Sequence, residues 1–220
     1  MDKPIANSSN LIAKKIVSPL HRAVVAGRRI RQITHHLSMM LPESRPLKGL
    51  DVGCGAGELA LLLQQSTQEV SLEGVDVLVR PNSVIPVVEF DGNTLPFNEN
   101  SFDFVVISDV LHHTDDPVAL LKECARVSRT HVLIKDHLCN SKLDELILGL
   151  MDWVGNRGHG VYLPYNYLST GQWEAAYEQA GLTVQLDERH LALYPFPFSL
   201  IFDQGLRFIA RCTVTEDVRV

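Results

Sequence analysis

The chain has 220 residues, of which 45% are hydrophobic and 21% are charged, and its formal net charge is −6. This length and apolar content are enough for one sizeable core, so folding needs no disulfide or metal. No apolar run reaches the ~18 residues that span a bilayer. The four cysteines are scattered without a Cys-x-x-Cys pair. We therefore expect a single domain over residues 1–220 in a reduced, cytoplasmic compartment.

Positive charge is concentrated in the first 48 residues, which hold nine Lys or Arg against two acidic residues. Apolar residues at helical spacing accompany these charges: Ile30, Ile33, Leu37, Met40 and Leu41. The pattern predicts N-terminal helices, broken at Pro19, that form a lid (residues 1–45) docked on an acidic body. The alternatives are peripheral contact with a membrane, with an acidic partner or with nucleic acid, and a cleaved organelle-targeting segment.

Residues 50–57, Leu-Asp-Val-Gly-Cys-Gly-Ala-Gly, are the most informative segment, because an apolar run stops there at three alternating glycines. The Glu-Leu-Ala-Leu-Leu-Leu that follows predicts a helix. A strand that turns through glycines into a helix N-terminus brings bare backbone against a ligand and favours anionic groups. The segment therefore predicts a cofactor site, although a plain tight turn has the same pattern.

The glycine spacing distinguishes two classes of cofactor. Dinucleotide-binding loops follow Gly-x-Gly-x-x-Gly, whereas Glu58 occupies the third glycine position here and Asp51 precedes the loop. Asp76 lies near the end of a second predicted strand, residues 70–77, where a carboxylate accepts hydrogen bonds from ribose hydroxyls. Asp76 suits a nicotinamide enzyme equally well, so the choice depends on later segments.

Residues 90–97, Phe-Asp-Gly-Asn-Thr-Leu-Pro-Phe, and residues 101–117 complete a series of four motifs. In order and spacing, residues 47–137 resemble the class I S-adenosylmethionine-dependent methyltransferases, in particular the type 11 methyltransferase-like domain. The resemblance implies S-adenosyl-L-methionine as cofactor, with S-adenosyl-L-homocysteine as product. It implies eleven cofactor-binding residues: Asp51, Gly53, Cys54, Gly55, Gly57, Asp76, Val77, Asp91, Gly92, Ser108 and Asp109.

Within that set the resemblance assigns individual roles. Asp91 and Gly92 match the adenine contact of the family, and Asp76 matches the ribose contact. Ser108 and Asp109 match the wall near the sulfonium. A nicotinamide oxidoreductase remains the alternative class of enzyme.

Strand and helix alternate as far as about residue 154, which predicts an α/β fold with a parallel sheet. The resemblance implies a Rossmann-like, seven-stranded, mostly parallel sheet with helices on both faces. Residues 78–83 are too few for the usual helix between strands 2 and 3, so we expect a shortened crossover. Residues 46–137 form the expected cofactor-binding core, and residues 138–220 form the substrate-side helices and C-terminal antiparallel strands.

Apolar runs predict buried strands over residues 84–88, 102–108 and 131–135. Local signals predict several element boundaries. Asp116-Pro117 is typical of a helix start. Ser169 followed by Gln172 forms a capping-box pattern. Apolar residues at intervals of three and four over residues 143–154 predict a helix whose apolar stripe joins the core.

Methyl transfer from a sulfonium is an in-line displacement, so positioning in a dry pocket supplies much of the catalysis. A base near the methyl group helps a neutral oxygen or nitrogen acceptor by ~10²–10⁴ fold. Three histidines are candidate catalytic bases: His137 after the fifth strand, His113 after the fourth, and His159 in a loop rich in Gly and Tyr. Asp136 or Asp109 could orient the ring. Each histidine could equally be a core or capping residue.

No metal is expected, because adjacent side chains on the turn that holds His112, His113, Asp115 and Asp116 diverge. The chain also lacks the paired histidines of a zinc helix and a Cys-rich site.

The Asn/Asp-Pro-Pro-Tyr signature of amino-group methylases is replaced by Ser-Asp-Val-Leu at residues 108–111. This replacement disfavours DNA adenine and release-factor-like targets. Aromatic residues over 153–173 and 191–202 would suit a small acceptor, apolar or lipid-like. The acidic body argues against nucleic acid.

Two further functions stay open. One is a cofactor-binding regulatory subunit without catalysis. The other is a nucleic-acid or protein methyltransferase that uses the basic N-terminal segment. The sequence does not indicate the oligomeric state.

Overall fold

The structure is a computed structural model that describes residues 27–156, 165–196, 199–203 and 205–215. Its helices are Gly27–Met40 (α1), Glu58–Ser66 (α2), Pro117–Val127 (α3), Lys142–Asn156 (α4), Thr170–Gln179 (α5) and Ser199–Phe202 (α6). Its strands are Leu47–Val52 (β1), Val70–Asp76 (β2), Val87–Glu89 (β3), Phe102–Ser108 (β4), Ser128–His137 (β5), Leu182–Glu188 (β6) and Arg207–Val214 (β7). A 3₁₀ turn, Leu111–His113, follows β4.

The strands of the described residues form one sheet in the order β3-β2-β1-β4-β5-β7-β6. Strands β1 to β5 pair in parallel, whereas β7 runs antiparallel to both β5 and β6. The topological switch point lies at β1, because its neighbours are β2 and β4. These findings confirm the Rossmann-like α/β fold with seven strands, a mostly parallel sheet and an antiparallel C-terminal pair.

Helices cover both faces of the sheet, as predicted. On one face, α1 and α2 bury Leu37 and Leu63 in a shared apolar cluster. On the other face, α3 and α5 bury Leu121 and Trp173 in a second cluster. Residues 104–107 of β4 are buried on both faces, which explains why Phe-Val-Val-Ile is a continuous apolar run rather than an alternating pattern.

Two predicted helix starts are confirmed by their caps. The Asp116 side chain accepts a hydrogen bond from the Ala119 amide at 2.9 Å, and Pro117 is the first residue of α3. Ser169 and Gln172 form the reciprocal capping box of α5. These helix starts were predictable because each capping residue and its hydrogen-bond partner lie within four residues of each other in the sequence.

The segment between β2 and β3 crosses without a helix, as predicted from residues 78–83. Strand β3 begins at Val87, however, whereas the sequence predicts a strand over residues 84–88. The Val84 amide donates instead to the Ala56 carbonyl at 2.8 Å, which ties this segment to the glycine loop. That backbone bond takes Val84 out of the sheet.

The predicted burial of the α4 stripe is wrong for three of its members. Leu143, Leu146 and Leu150 are 65%, 70% and 55% exposed, while Leu148 is buried. Helical periodicity shows that residues share one side of a helix, but it does not show what that side contacts.

The predicted N-terminal lid is described only from Gly27 onward, and Pro19 lies outside the described residues. Within α1, the apolar side is buried against the body as its spacing predicts: Ile33, Leu37 and Met40. No described helix combines the length and the apolar character needed to cross a bilayer.

Candidate active site

The glycine loop follows β1, and its three glycines have φ angles of +70°, +60° and +85°. A Cβ on Gly53 would lie 2.3 Å from Val110, and a Cβ on Gly57 would lie 2.3 Å from Ile85. A Cβ on Gly55 would meet nothing closer than Arg80 at 3.9 Å. Packing therefore requires the outer glycines, while Gly55 presents open backbone to a ligand.

Two carboxylates border this loop. Asp51 is 2% exposed, and its Oδ2 atom has no hydrogen-bond partner among the described residues. Burial, reinforced by repulsion from Asp76, raises the pKa of Asp51 to about 7. Asp76 Oδ2 accepts from the Gly55 amide at 2.8 Å, and Oδ1 accepts from the Leu78 amide at 3.0 Å. A buried carboxylate oxygen without a partner, beside bare backbone, fits a ligand that carries a cationic group.

Cys54 lies in the same loop and packs its thiol toward β2, where a Cβ on Gly74 would be 2.3 Å from Sγ. Burial, followed by the nearby Asp51, raises the pKa of Cys54 to about 12. The thiol therefore stays protonated near neutral pH, which argues against a nucleophilic role.

The residues predicted to contact adenine lie together at the ends of β2 and β3. A Cβ on Gly92 would be 3.4 Å from Val77, and Gly92 has a φ angle of +88°. Asp91 Oδ1 accepts from the Thr94 and Asn93 amides, and these hydrogen bonds lower the pKa of Asp91. The loop is thus held in one turn beside the strand that carries Asp76.

Ser108 ends β4, and Asp109 follows it with a φ angle of +57°. Asp109 is ion-paired to Arg29 from α1 and to Lys135 from β5. Burial alone would raise the pKa of Asp109, but Arg29 and Lys135 outweigh burial and hold the pKa well below its usual range. Lys135 is fully buried, and this lowers its pKa to about 8. Asp109 therefore has a strained, left-handed backbone conformation, and its two ion pairs help to maintain that conformation. Such strain is typical of functional sites.

The candidate base His137 lies in a buried hydrogen-bond cluster. Asp136 Oδ1 is 2.6 Å from His112 Nδ1 and accepts from the His137 amide at 2.7 Å. The His112 and His137 rings meet edge to face with 4.5 Å between their centroids. Burial, and then the charge of Lys135, lower the pKa of His137 well below its usual range. His137 is therefore a neutral imidazole near neutral pH.

Of the other two histidine candidates, the structure describes one. The rings of His112 and His113 are 3.9 Å apart between centroids, and burial lowers the pKa of His113. The Nδ1 atom of His113 is buried and has no hydrogen-bond partner among the described residues. His159 lies outside the described residues. His137 and His113 thus converge on His112, and their catalytic roles stay predictions.

Asp152 and Tyr167 also belong to this cluster, although the sequence did not point to them. The Tyr167 hydroxyl donates to Asp152 Oδ2, and His112 Nε2 is 3.5 Å from the same oxygen. Burial, followed by the hydrogen bond to Asp152, raises the pKa of Tyr167. Asp152 lies within the apolar stripe predicted over residues 143–154. The one sequence feature that pointed to it was an acidic residue in an otherwise apolar part of α4.

Comparison with known proteins connects this geometry to a family. The family model of a methyltransferase domain matches residues 25–186. A demethylmenaquinone methyltransferase of Staphylococcus aureus is 35% identical over 94 residues, which cover 37% of this chain and 38% of that protein. A cycloartenol-C-24-methyltransferase of Oryza sativa is 31% identical over 110 residues, which cover 44% of this chain and 32% of that protein. The match spans less than two fifths of the length of either relative.

Solved structures agree with this assignment. An S-adenosylmethionine-dependent methyltransferase of Mesorhizobium loti superposes with a TM-score of 0.61 at 17% sequence identity. The superposition covers 81% of this chain and 96% of that one. The family match over residues 25–186 favours a methyltransferase over the nicotinamide oxidoreductase that Asp76 alone left open. The chain belongs to the methyltransferase domain family and has the fold of the class I S-adenosylmethionine-dependent methyltransferases.

Proposed function

We propose that this chain binds S-adenosyl-L-methionine at the carboxyl ends of β1, β2 and β4 and methylates a small molecule. The buried oxygen of Asp51 that lacks a partner among the described residues carries the proposal, because Asp51 stands near the end of β1, just before the glycine loop. The ammonium group of the cofactor would satisfy that oxygen, and its ribose hydroxyls would donate to Asp76, each of whose oxygens has a lone pair beyond the one that accepts from a loop amide. Val77, Asp91 and Gly92 would border the adenine.

When bound, the cofactor supplies an electrophilic methyl group on a sulfonium. The residues of this chain then have to hold the acceptor in line and to receive its proton. Asp109 is held by ion pairs with Arg29 and Lys135. Its side chain would form the wall of the site that orients the cofactor and the acceptor. His137 is the proposed base, since its ring is neutral and its Nε2 lies 3.9 Å from Asp109 Oδ1. His113 and His159 are the secondary candidates.

A small acceptor is supported by the relatives, whose names specify demethylmenaquinone and cycloartenol. Aromatic rings beside the histidine cluster support the same assignment. The Tyr167 ring stacks with His112 at 5.8 Å between centroids, and Tyr165 lies 6.2 Å from Tyr167. Such a wall suits an acceptor with a flat or apolar body.

The proposal is tested by incubating the protein with cofactor labelled on the methyl group and with cell extract, followed by separation of small molecules, protein and nucleic acid. We expect label in the small-molecule fraction, and an excess of S-adenosyl-L-homocysteine should abolish it. Label only in protein or nucleic acid would point to the macromolecular alternative. Absence of transfer by a protein that binds the cofactor would point to a regulatory subunit.

A further inference from the structure

Three side chains from two elements present metal-binding atoms to one point beside the proposed acceptor site. His112 and His113 come from the 3₁₀ turn after β4, and Asp152 comes from α4. One potential ligand atom from each residue lies within 4.8 Å of the other two. The distance from His112 Nε2 to Asp152 Oδ2 is 3.5 Å. Two ligands bound to one zinc ion at ~2.0–2.1 Å would be separated by a similar distance.

The surroundings of His112 orient its ring for such a role. His112 Nδ1 lies 2.6 Å from Asp136 Oδ1, and both side chains are almost fully buried. If Nδ1 carries the proton in this hydrogen bond, Nε2 presents its lone pair toward Asp152. A carboxylate on the far nitrogen of a histidine is the usual outer partner of a metal-binding imidazole.

Asp152 and His113 complete the arrangement. The Tyr167 hydroxyl donates to Asp152 Oδ2, and a ligating carboxylate is normally held by such a hydrogen bond. His113 keeps Nδ1 buried without a hydrogen-bond partner among the described residues, which leaves a polar group that a ligand would satisfy.

A neighbouring trio, His112, Asp136 and His137, does not offer an equivalent site. Asp136 Oδ1 already accepts from the His137 amide and contacts His112, and Oδ2 accepts from the Leu111 amide at 3.1 Å. All three side chains of this trio are at most 3% exposed. Asp136 therefore supports His112 rather than holding an ion itself.

We propose that His112, His113 and Asp152 bind a divalent transition-metal ion, zinc being the expected ion. Two imidazoles and one carboxylate are a common set for zinc, and three protein ligands leave a further position open. The sequence predicts no metal, because adjacent side chains on this turn are expected to diverge and no zinc-helix or Cys-rich pattern is present. The third ligand comes from α4, 39 residues after His113. The proposal does not depend on methyl transfer.

The test is a titration of the untagged full chain, stripped of metal with a chelator, with Zn²⁺ by calorimetry and with Co²⁺ by visible absorption. We expect one equivalent to bind in both titrations. His113→Gln and Asp152→Asn should lower the affinity at least ~100-fold, and Tyr167→Phe by ~10–100-fold. Asp115→Asn, an exposed residue on the same turn, is the matched control and should bind like the wild type.

Two results would overturn the proposal. If the wild type binds no stoichiometric metal, a protonated His112 bridges Asp136 and Asp152 instead. If His113→Gln and Asp152→Asn both bind like the wild type, the metal occupies another site. Circular dichroism verifies the fold of each variant. If Asp152→Asn fails to fold, His113→Gln and Tyr167→Phe decide the question.

Discussion

Arg29 on α1 and Asp109 after β4 form an ion pair across 80 residues of sequence, with 2.5 Å between Nη2 and Oδ2. The other Asp109 oxygen pairs with Lys135, which is fully buried. The two partners of Asp109 are therefore unequal, because the Arg29 side chain is 32% exposed and its charge is screened by solvent.

This inequality predicts how two variants affect stability. Arg29→Gln should lower the free energy of unfolding by at most about 1 kcal/mol. Asp109→Asn should lower it by about 3 kcal/mol, because it leaves Lys135 buried without its counter-ion. Urea unfolding of both variants at neutral pH measures the difference. Equal losses would show that Arg29, rather than Lys135, determines the contribution of Asp109.

The glycine loop predicts that stability and ligand binding respond to different positions. Gly53→Ala should cost about 3 kcal/mol or more, since its Cβ would overlap Val110 and its φ angle is positive. Gly55→Ala should cost only about 1–2 kcal/mol of backbone strain. The same Gly55→Ala variant should bind S-adenosyl-L-homocysteine at least ~10-fold more weakly, because the methyl group occupies the ligand's space. Thermal unfolding and calorimetry measure the two effects, and undiminished binding by Gly55→Ala would place the ligand elsewhere.

Asp51 predicts a pH dependence of stability in the cofactor-free protein. Its pKa is raised to about 7 in the folded state, whereas the ordinary value is 3.8. Between these values the unfolded chain is ionised at this position while the folded protein holds the proton. The contribution of Asp51 to wild-type stability should therefore fall as the pH rises through this window, by up to ~1.4 kcal/mol per pH unit.

Asp51→Asn cannot titrate and isolates this contribution. The stability of Asp51→Asn relative to the wild type should increase from about pH 5 to about pH 7 and then level off. Denaturant unfolding at a series of pH values measures the trend. A constant difference across the window would show that Asp51 is ionised in the folded protein throughout.

His137→Ala tests the proposed base once an acceptor has been found. Turnover should fall by ~10² fold or more, while cofactor affinity stays within a few fold. His131→Ala, a half-buried residue in the first half of the same strand, is the control and should retain activity. Unchanged turnover in His137→Ala would leave His159 as a candidate, together with His113 in the metal-free protein.

The parts of the fold that the sequence predicted depend on local signals. Strand β4 matches its predicted range because seven apolar-rich residues lie between turns, and the capped starts of α3 and α5 depend on contacts within one helical turn. Asp51, Asp76 and the glycine loop are candidate site residues because the family spacing identifies them. These features need no information about distant contacts.

The histidine cluster could not be predicted, because its contacts join distant parts of the chain. Asp152 on α4 approaches His112 on the 3₁₀ turn, and Arg29 on α1 pairs with Asp109, 80 residues later in the chain. The sequence places Asp152 among leucines and Arg29 in a basic segment. Neither setting identifies the partner residue, because the sequence predicts only a core helix around Asp152 and, around Arg29, a lid docked on an acidic body.

The identity of the cofactor underlies every proposed role at the glycine loop, and one calorimetric experiment tests it. S-adenosyl-L-homocysteine and NADH are titrated separately into the wild type, Asp76→Ala and Glu73→Ala. Glu73 lies on the same strand but pairs with Lys48 at 2.7 Å. We predict one equivalent of S-adenosyl-L-homocysteine for the wild type and Glu73→Ala, a loss of at least ~10-fold in affinity for Asp76→Ala, and no binding of NADH. Tight binding of NADH, or S-adenosyl-L-homocysteine binding that Asp76→Ala leaves intact, would contradict the account.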